Sequence, residues 1–181
     1  AMGLLNSNKD RLYVAVFYSK GEDAYHWALL VSPKAEEDAS KASTQYHVTN
    51  KLLLRGGALR ATWEYEKQAV AADPTGSDGV KPFVRILIGK LKKAKAQFEA
   101  SVEKVEIVQD NPEWADRSWI KAALARLQKD GILGDSSVRD WAKIEKESLS
   151  YADKKKAEGR FESWTGKAPT YDLVSKHETV K

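Results

Sequence analysis

The chain contains no cysteine. That excludes a disulfide framework, a thiolate zinc site and a cysteine nucleophile, and it fits an expected cytoplasmic protein. Long apolar runs are also missing. None approaches the ~20 residues a helix needs to span a bilayer, so no membrane span is expected. No signal peptide is read at the start, where Ala1-Met2-Gly3 looks like an expression-vector remnant. Charge of one sign is not concentrated. The net charge is +4, and the basic residues of 90–95, 154–156 and the end of the chain are mixed with Glu and Asp. A nucleic-acid binder would show a basic face with interleaved aromatics, so no nucleic-acid partner is expected. There is no internal repeat.

What is present suits one globular domain. The 181 residues are 42% hydrophobic and 31% charged, enough for a real core. Residues 1–10 are expected to be a remnant and a disordered start, 11–164 a single α+β domain, and 165–181 a flexible tail. Strands are predicted at 11–17, 25–31, 45–49, 61–65 and 82–88 from β-branched and aromatic content bounded by turn residues. The first two should form an antiparallel hairpin around Ser19–Asp23. Gly56-Gly57 should turn the third strand into the fourth, and 34–43 and 72–81 read as loops. A helix is expected over 90–99, a strand or extended segment over 102–108, and one or two amphipathic helices over 136–164. The fold class expected is an antiparallel sheet with helices packed on one face.

The stretch Asn111-Pro-Glu-Trp-Ala-Asp-Arg-Ser-Trp-Ile120 and the helix after it form the centre of the reading. Trp119, Ile120, Ala123, Leu124 and Leu127 recur at helical spacing, and Gly131 ends the run. Asp116 is placed as the N-cap, at the positive end of a buried helix. Ser118 lacks the surroundings of a nucleophile elbow, and Arg55-Gly-Gly-Ala58 matches no phosphate loop.

Only three histidines occur. His177 lies in the expected tail. Strand alternation puts Tyr25, Trp27, Leu29 and Val31 on one face and His26, Ala28 and Leu30 on the other. His47 lies on the next strand, so two imidazoles can share one pocket. Each is ordinarily a half-buried, hydrogen-bonded residue. Nothing in the spacing demands a metal or a cofactor, and neither is expected.

Tyr25-His-Trp-Ala-Leu-Leu-Val31 resembles the histidine strand of the lecithin:retinol acyltransferase-like proteins, which are circularly permuted papain-like enzymes. Tyr46-His47-Val48 is similar to that family's second histidine strand. Asp110–Ile120 resembles its later Asn-Cys-x-x-Trp/Phe-Val motif. The chain is also similar to a broad group of uncharacterised fungal proteins with Tyr-His-Trp-Ala-Leu-Leu-Val early and Trp-Asn-Cys-x-x-Trp-Val late. The resemblance covers roughly residues 11–133. It implies a permuted papain-like fold with His26, His47 and position 116 at the site.

In this alignment Asp116 stands where the family has its cysteine, and Ala115 where it has asparagine. Thiolate acyl transfer therefore cannot be carried over. The expected function is acid–base chemistry on a small molecule (isomerisation, cyclisation, elimination or hydrolysis), with a place in fungal secondary metabolism. His26, His47 and Asp116 would be catalytic, and Trp27, Trp63, Tyr65 and Trp119 would line the substrate site. The alternative is a catalytically inactive module that binds a ligand or a protein.

Overall fold

In the computed structural model the described residues are 9–19, 24–34, 43–70, 81–160 and 167–181. The expected loops over 20–23, 35–42 and 72–80, the start of the chain, and Phe161 and Trp164 lie outside them. Seven strands form one sheet: β1 (Arg11–Ser19), β2 (Ala24–Ser32), β3 (Ser43–Arg55), β4 (Ala58–Val70), β5 (Val84–Lys90), β6 (Thr170–Asp172) and β7 (His177–Val180). Their order is β4-β3-β2-β1-β5-β6-β7. Three helices are described: α1 (Lys95–Val102), α2 (Asp116–Lys129) and α3 (Trp141–Ala157).

The protein is α+β, but the sheet is mixed rather than wholly antiparallel. β6 pairs with β5 in parallel, because the chain crosses back over the three helices before re-entering the sheet. The helices all contribute to one apolar cluster. It joins Trp27, Leu29 and Val31 of β2 to Phe98 of α1, Trp119 and Leu127 of α2 and Ile144 of α3. The opposite face of the sheet carries a smaller cluster that includes Tyr13, Phe17, Ala28 and Leu30. The alternation expected for β2 is therefore the one observed.

α2 buries Trp119, Ile120, Ala123, Leu124 and Leu127, the anticipated stripe. It ends at Gly131, whose φ of 67° is open to glycine without strain. The Ile132 N–H then closes onto the Leu127 carbonyl at 2.9 Å.

Several expectations need correction. Asp116 is not the N-cap but the first helical residue; Ala115 is the cap, and Ser118 Oγ accepts its N–H at 3.1 Å. β3 and β4 run far beyond 45–49 and 61–65. Their outer halves have little core beneath them, so hydrophobic periodicity does not mark them; the ladder and the turn do. Arg55 pairs with Ala58 across Gly56 and Gly57, both at positive φ, as a two-residue primed turn requires.

The segment 102–108 is not a strand, and the helix expected over 90–99 is displaced: Lys90 ends β5, α1 runs to Val102, and irregular chain follows. There Gln109 substitutes for strand pairing, its amide bonding both the N–H and the carbonyl of Trp63 at 2.9 and 2.8 Å. Residues 170–180 are not a loose tail. They form β6 and β7, bury Leu173 and tie down α3. Tyr151 donates to Glu178 at 2.6 Å, and Lys155 pairs with it at 2.8 Å.

Candidate functional site

The site arises where two strands part. β2 and β3 pair only over Leu29–Val31 and Thr44–Tyr46. β3 stays with β4 along its whole length, so the edge of β2 near Trp27 lacks a strand partner. The carboxylate of Asp116 takes that place: Oδ2 accepts the Trp27 N–H at 2.9 Å. Its Oδ1 accepts the Arg117 N–H at 2.8 Å, one of the free amides at a helix start, where the dipole favours an anion. One side chain thus fastens the start of α2 to the open edge of β2.

From Asp116 a line of polar contacts runs outward. His26 Nδ1 is 3.0 Å from Asp116 Oδ2. His26 Nε2 is 2.8 Å from His47 Nδ1, and Gln45 Nε2 is 3.3 Å from the same nitrogen. His47 Nε2 is 3.3 Å from Glu66 Oε2, near enough for a charge interaction but not aligned as a hydrogen bond, and that nitrogen is buried without a hydrogen-bond partner. Glu66 in turn pairs with Lys51.

The two histidines differ in exposure. The His26 side chain is 36% exposed and that of His47 only 9%. Burial, and then the neighbouring His26, hold the His47 imidazole below the usual histidine range. The Lys51 ammonium holds Glu66 below the usual carboxylate range.

Hydrogen counting constrains this line. Asp116 and Glu66 can only accept when ionised. A hydrogen on His26 Nδ1 and one on either of the two facing nitrogens make the contacts Asp116–His26 and His26–His47 hydrogen bonds. With Gln45 Nε2 donating to His47 Nδ1, that nitrogen is an acceptor. His47 is then the neutral Nε2–H tautomer, as its low pKa favours.

The structure thus brings His26, His47 and Asp116 together, in series rather than around one point. It places the four aromatic candidates elsewhere. Trp27 and Trp119 are buried in the core on the helix side of the sheet, whereas His26 contacts Phe17 of the opposite cluster. Trp63 packs edge-on against Trp114 at 5.6 Å, and Tyr65 lies tilted against Trp119 at 5.8 Å. Burial pushes the Tyr65 phenol above its ordinary range. Among the described residues no group of three or more His, Asp or Glu is placed to hold a metal.

The chain matches the model of a family of unknown function (DUF6914) over residues 9–180. It belongs to that family. The match takes in β6 and β7 as well as the two histidine strands and α2, so the family's unit is the whole sheet. No curated protein and no solved structure matches the chain.

Sequence reading missed Gln45 and Glu66. A signal for Glu66 was present. A two-residue turn at Gly56-Gly57 fixes the register of β3 on β4, and counting back from it sets His47 opposite Glu66.

Proposed function

We propose that this protein is an enzyme performing proton-transfer chemistry on a small molecule through His26, His47 and Asp116. The observation that supports this is the buried His47 Nε2 without a hydrogen-bond partner at the end of an otherwise bonded line. Buried polar atoms are normally satisfied, and a catalytic role is one explanation of an orphan that sits among other titratable groups.

In this reading His47 Nε2–H gives its proton to an oxygen or carbon of the substrate. When His26 carries a proton on each nitrogen, the one on Nε2 moves to His47 Nδ1 as that bond breaks, so both imidazoles end neutral. Asp116 is a positioning residue that holds His26 by Nδ1 throughout. The reverse passage removes a proton. Isomerisation, cyclisation, elimination and hydrolysis all draw on such a step. The finer fold reading is also a proposal: a permuted papain-like domain, supported by a histidine strand packed against the N-terminus of a buried helix. The mechanism is not that of a cysteine hydrolase.

A second reading, a non-catalytic binding module, is favoured by a different observation. Both oxygens of Asp116 and both nitrogens of His26 already have protein partners. Deuterium exchange into a panel of enolisable carbonyl compounds separates the two. The enzyme reading expects exchange that falls about 10²–10⁴-fold in His47→Gln. Compounds that bind wild type and His47→Gln equally, with no exchange in either, establish the binding module instead.

A further inference from the structure

Beyond the Lys51–Glu66 pair the outer end of the β3–β4 ribbon has no part in the site, and its composition is unlike the rest of the chain. From Lys51 to Ala61 the sequence is Lys-Leu-Leu-Leu-Arg-Gly-Gly-Ala-Leu-Arg-Ala, with three cations and no anion. Leu52, Leu54 and Leu59 are 70%, 72% and 69% exposed. The register gathers them: Leu54 lies opposite Leu59, and Leu52 opposite Ala61. Alternation puts these four on one face of the ribbon, and Lys51, Arg55 and Arg60, with the half-buried Leu53, on the other. The ribbon is amphipathic from a two-residue turn inward.

The leucine face needs an occupant, because three exposed leucines clustered at a tip are not a chance scatter. A second copy fits poorly. The tip is a narrow two-stranded end, and four small apolar side chains fall well short of the roughly 800 Å² per partner of a stable interface. Charge selects another surface. Arg60 is exposed, and Arg55 sits beside the turn with its guanidinium held by Asp110 and Thr62. Lys51 is set further back, against Glu66. Long basic side chains flanking an apolar face reach upward to phosphates while the face enters the acyl boundary.

We propose that the β3–β4 tip is a membrane-docking element that inserts Leu52, Leu54 and Leu59 into the interface of an anionic bilayer, with Arg60 at the lipid phosphates. The sheet then stands on the membrane by one end. Nothing in this depends on the chemistry of the histidines.

Flotation of the full chain with vesicles tests it. Vesicles of phosphatidylcholine with phosphatidylserine should carry the protein up, and pure phosphatidylcholine should carry less. Leu54→Ser/Leu59→Ser alters only exposed side chains, so the fold should persist by circular dichroism while binding falls about tenfold or more. Arg60→Glu should weaken binding at least about fivefold, and salt should weaken it in wild type. No flotation with the anionic vesicles, or equal flotation of the folded double variant, overturns the proposal. So does a concentration-dependent dimer in light scattering that the double variant abolishes, since the occupant would then be a second copy.

Discussion

His26 Nε2 lies 2.8 Å from His47 Nδ1, and the two rings meet edge to face at 62°. Two imidazoles so arranged must share a hydrogen, and each has a carboxylate beyond it, Asp116 on one side and Glu66 on the other. The pair is therefore ordered from both ends. His47, the buried partner, is the one held neutral, and that ordering gives the line a direction.

The first expectation concerns Asp116, which has a structural duty whatever its chemistry. Its carboxylate is the acceptor for the Trp27 N–H at an open strand edge, beside a tryptophan only 1% exposed. Asp116→Ala leaves that amide without a partner and should cost about 1–3 kcal/mol in urea unfolding. Asp116→Asn keeps an oxygen for the amide and should cost less than Asp116→Ala. Equal losses in the two variants would mean that the charge, not the acceptor, holds the junction.

Much of this arrangement was legible in the sequence, and the part that was not has physical reasons. The alternation of β2 and the stripe of α2 are periodic signals tied to a core, and they set His26 on its observed face and Asp116 within one position of its place. The serial order of the site was hidden. It depends on β3 leaving β2 beyond Leu29, a splay that residue spacing along either strand does not encode. β6 and β7 were hidden for another reason. They are only three and four residues long and are held by pairing to β5 and by Glu178, not by an apolar pattern of their own. Asp116 was misplaced by one position because Ala115, a poor cap by side chain, takes the cap through backbone geometry, with Ser118 completing it.

The pH dependence of stability follows from the two groups at the far end of the line. The His47 pKa is lowered in the folded state, chiefly by burial, from the usual 6.5. The unfolded chain then binds more protons, so stability rises with pH through the window just below 6.5 and levels off above it. Glu66, lowered chiefly by its bond to Lys51 from the usual 4.5, stabilises above that value. Its contribution is lost as pH falls through its folded value. Two acid phases are expected. His47→Gln should remove the upper one and leave the lower, as read from unfolding midpoints across pH. An unchanged upper phase in His47→Gln would assign it to another group.

The last expectation concerns the end of the chain, which the sequence alone presents as dispensable. Lys155 projects from α3 into a site where it is only 4% exposed, and Glu178 of β7 lies 2.8 Å away. Glu178 also accepts the Tyr151 hydroxyl at 2.6 Å. Removing its carboxylate leaves a buried ammonium with Glu158, at 3.3 Å, as the acidic partner that remains. A buried ammonium left with the half-exposed Glu158 alone is poorly compensated, and the Tyr151 hydroxyl loses its acceptor, so Glu178→Ala should cost about 1–3 kcal/mol. Glu178→Gln retains an acceptor for both donors but not the charge, and should fall between wild type and Glu178→Ala. Lys155→Met in the Glu178→Ala background should recover much of the loss, because it removes the stranded charge rather than restoring a bond. A double variant no more stable than Glu178→Ala would show that the cost lies in the Tyr151 bond and in the seating of β7. Hydrogen exchange at 177–180 would then show the strand released from the sheet.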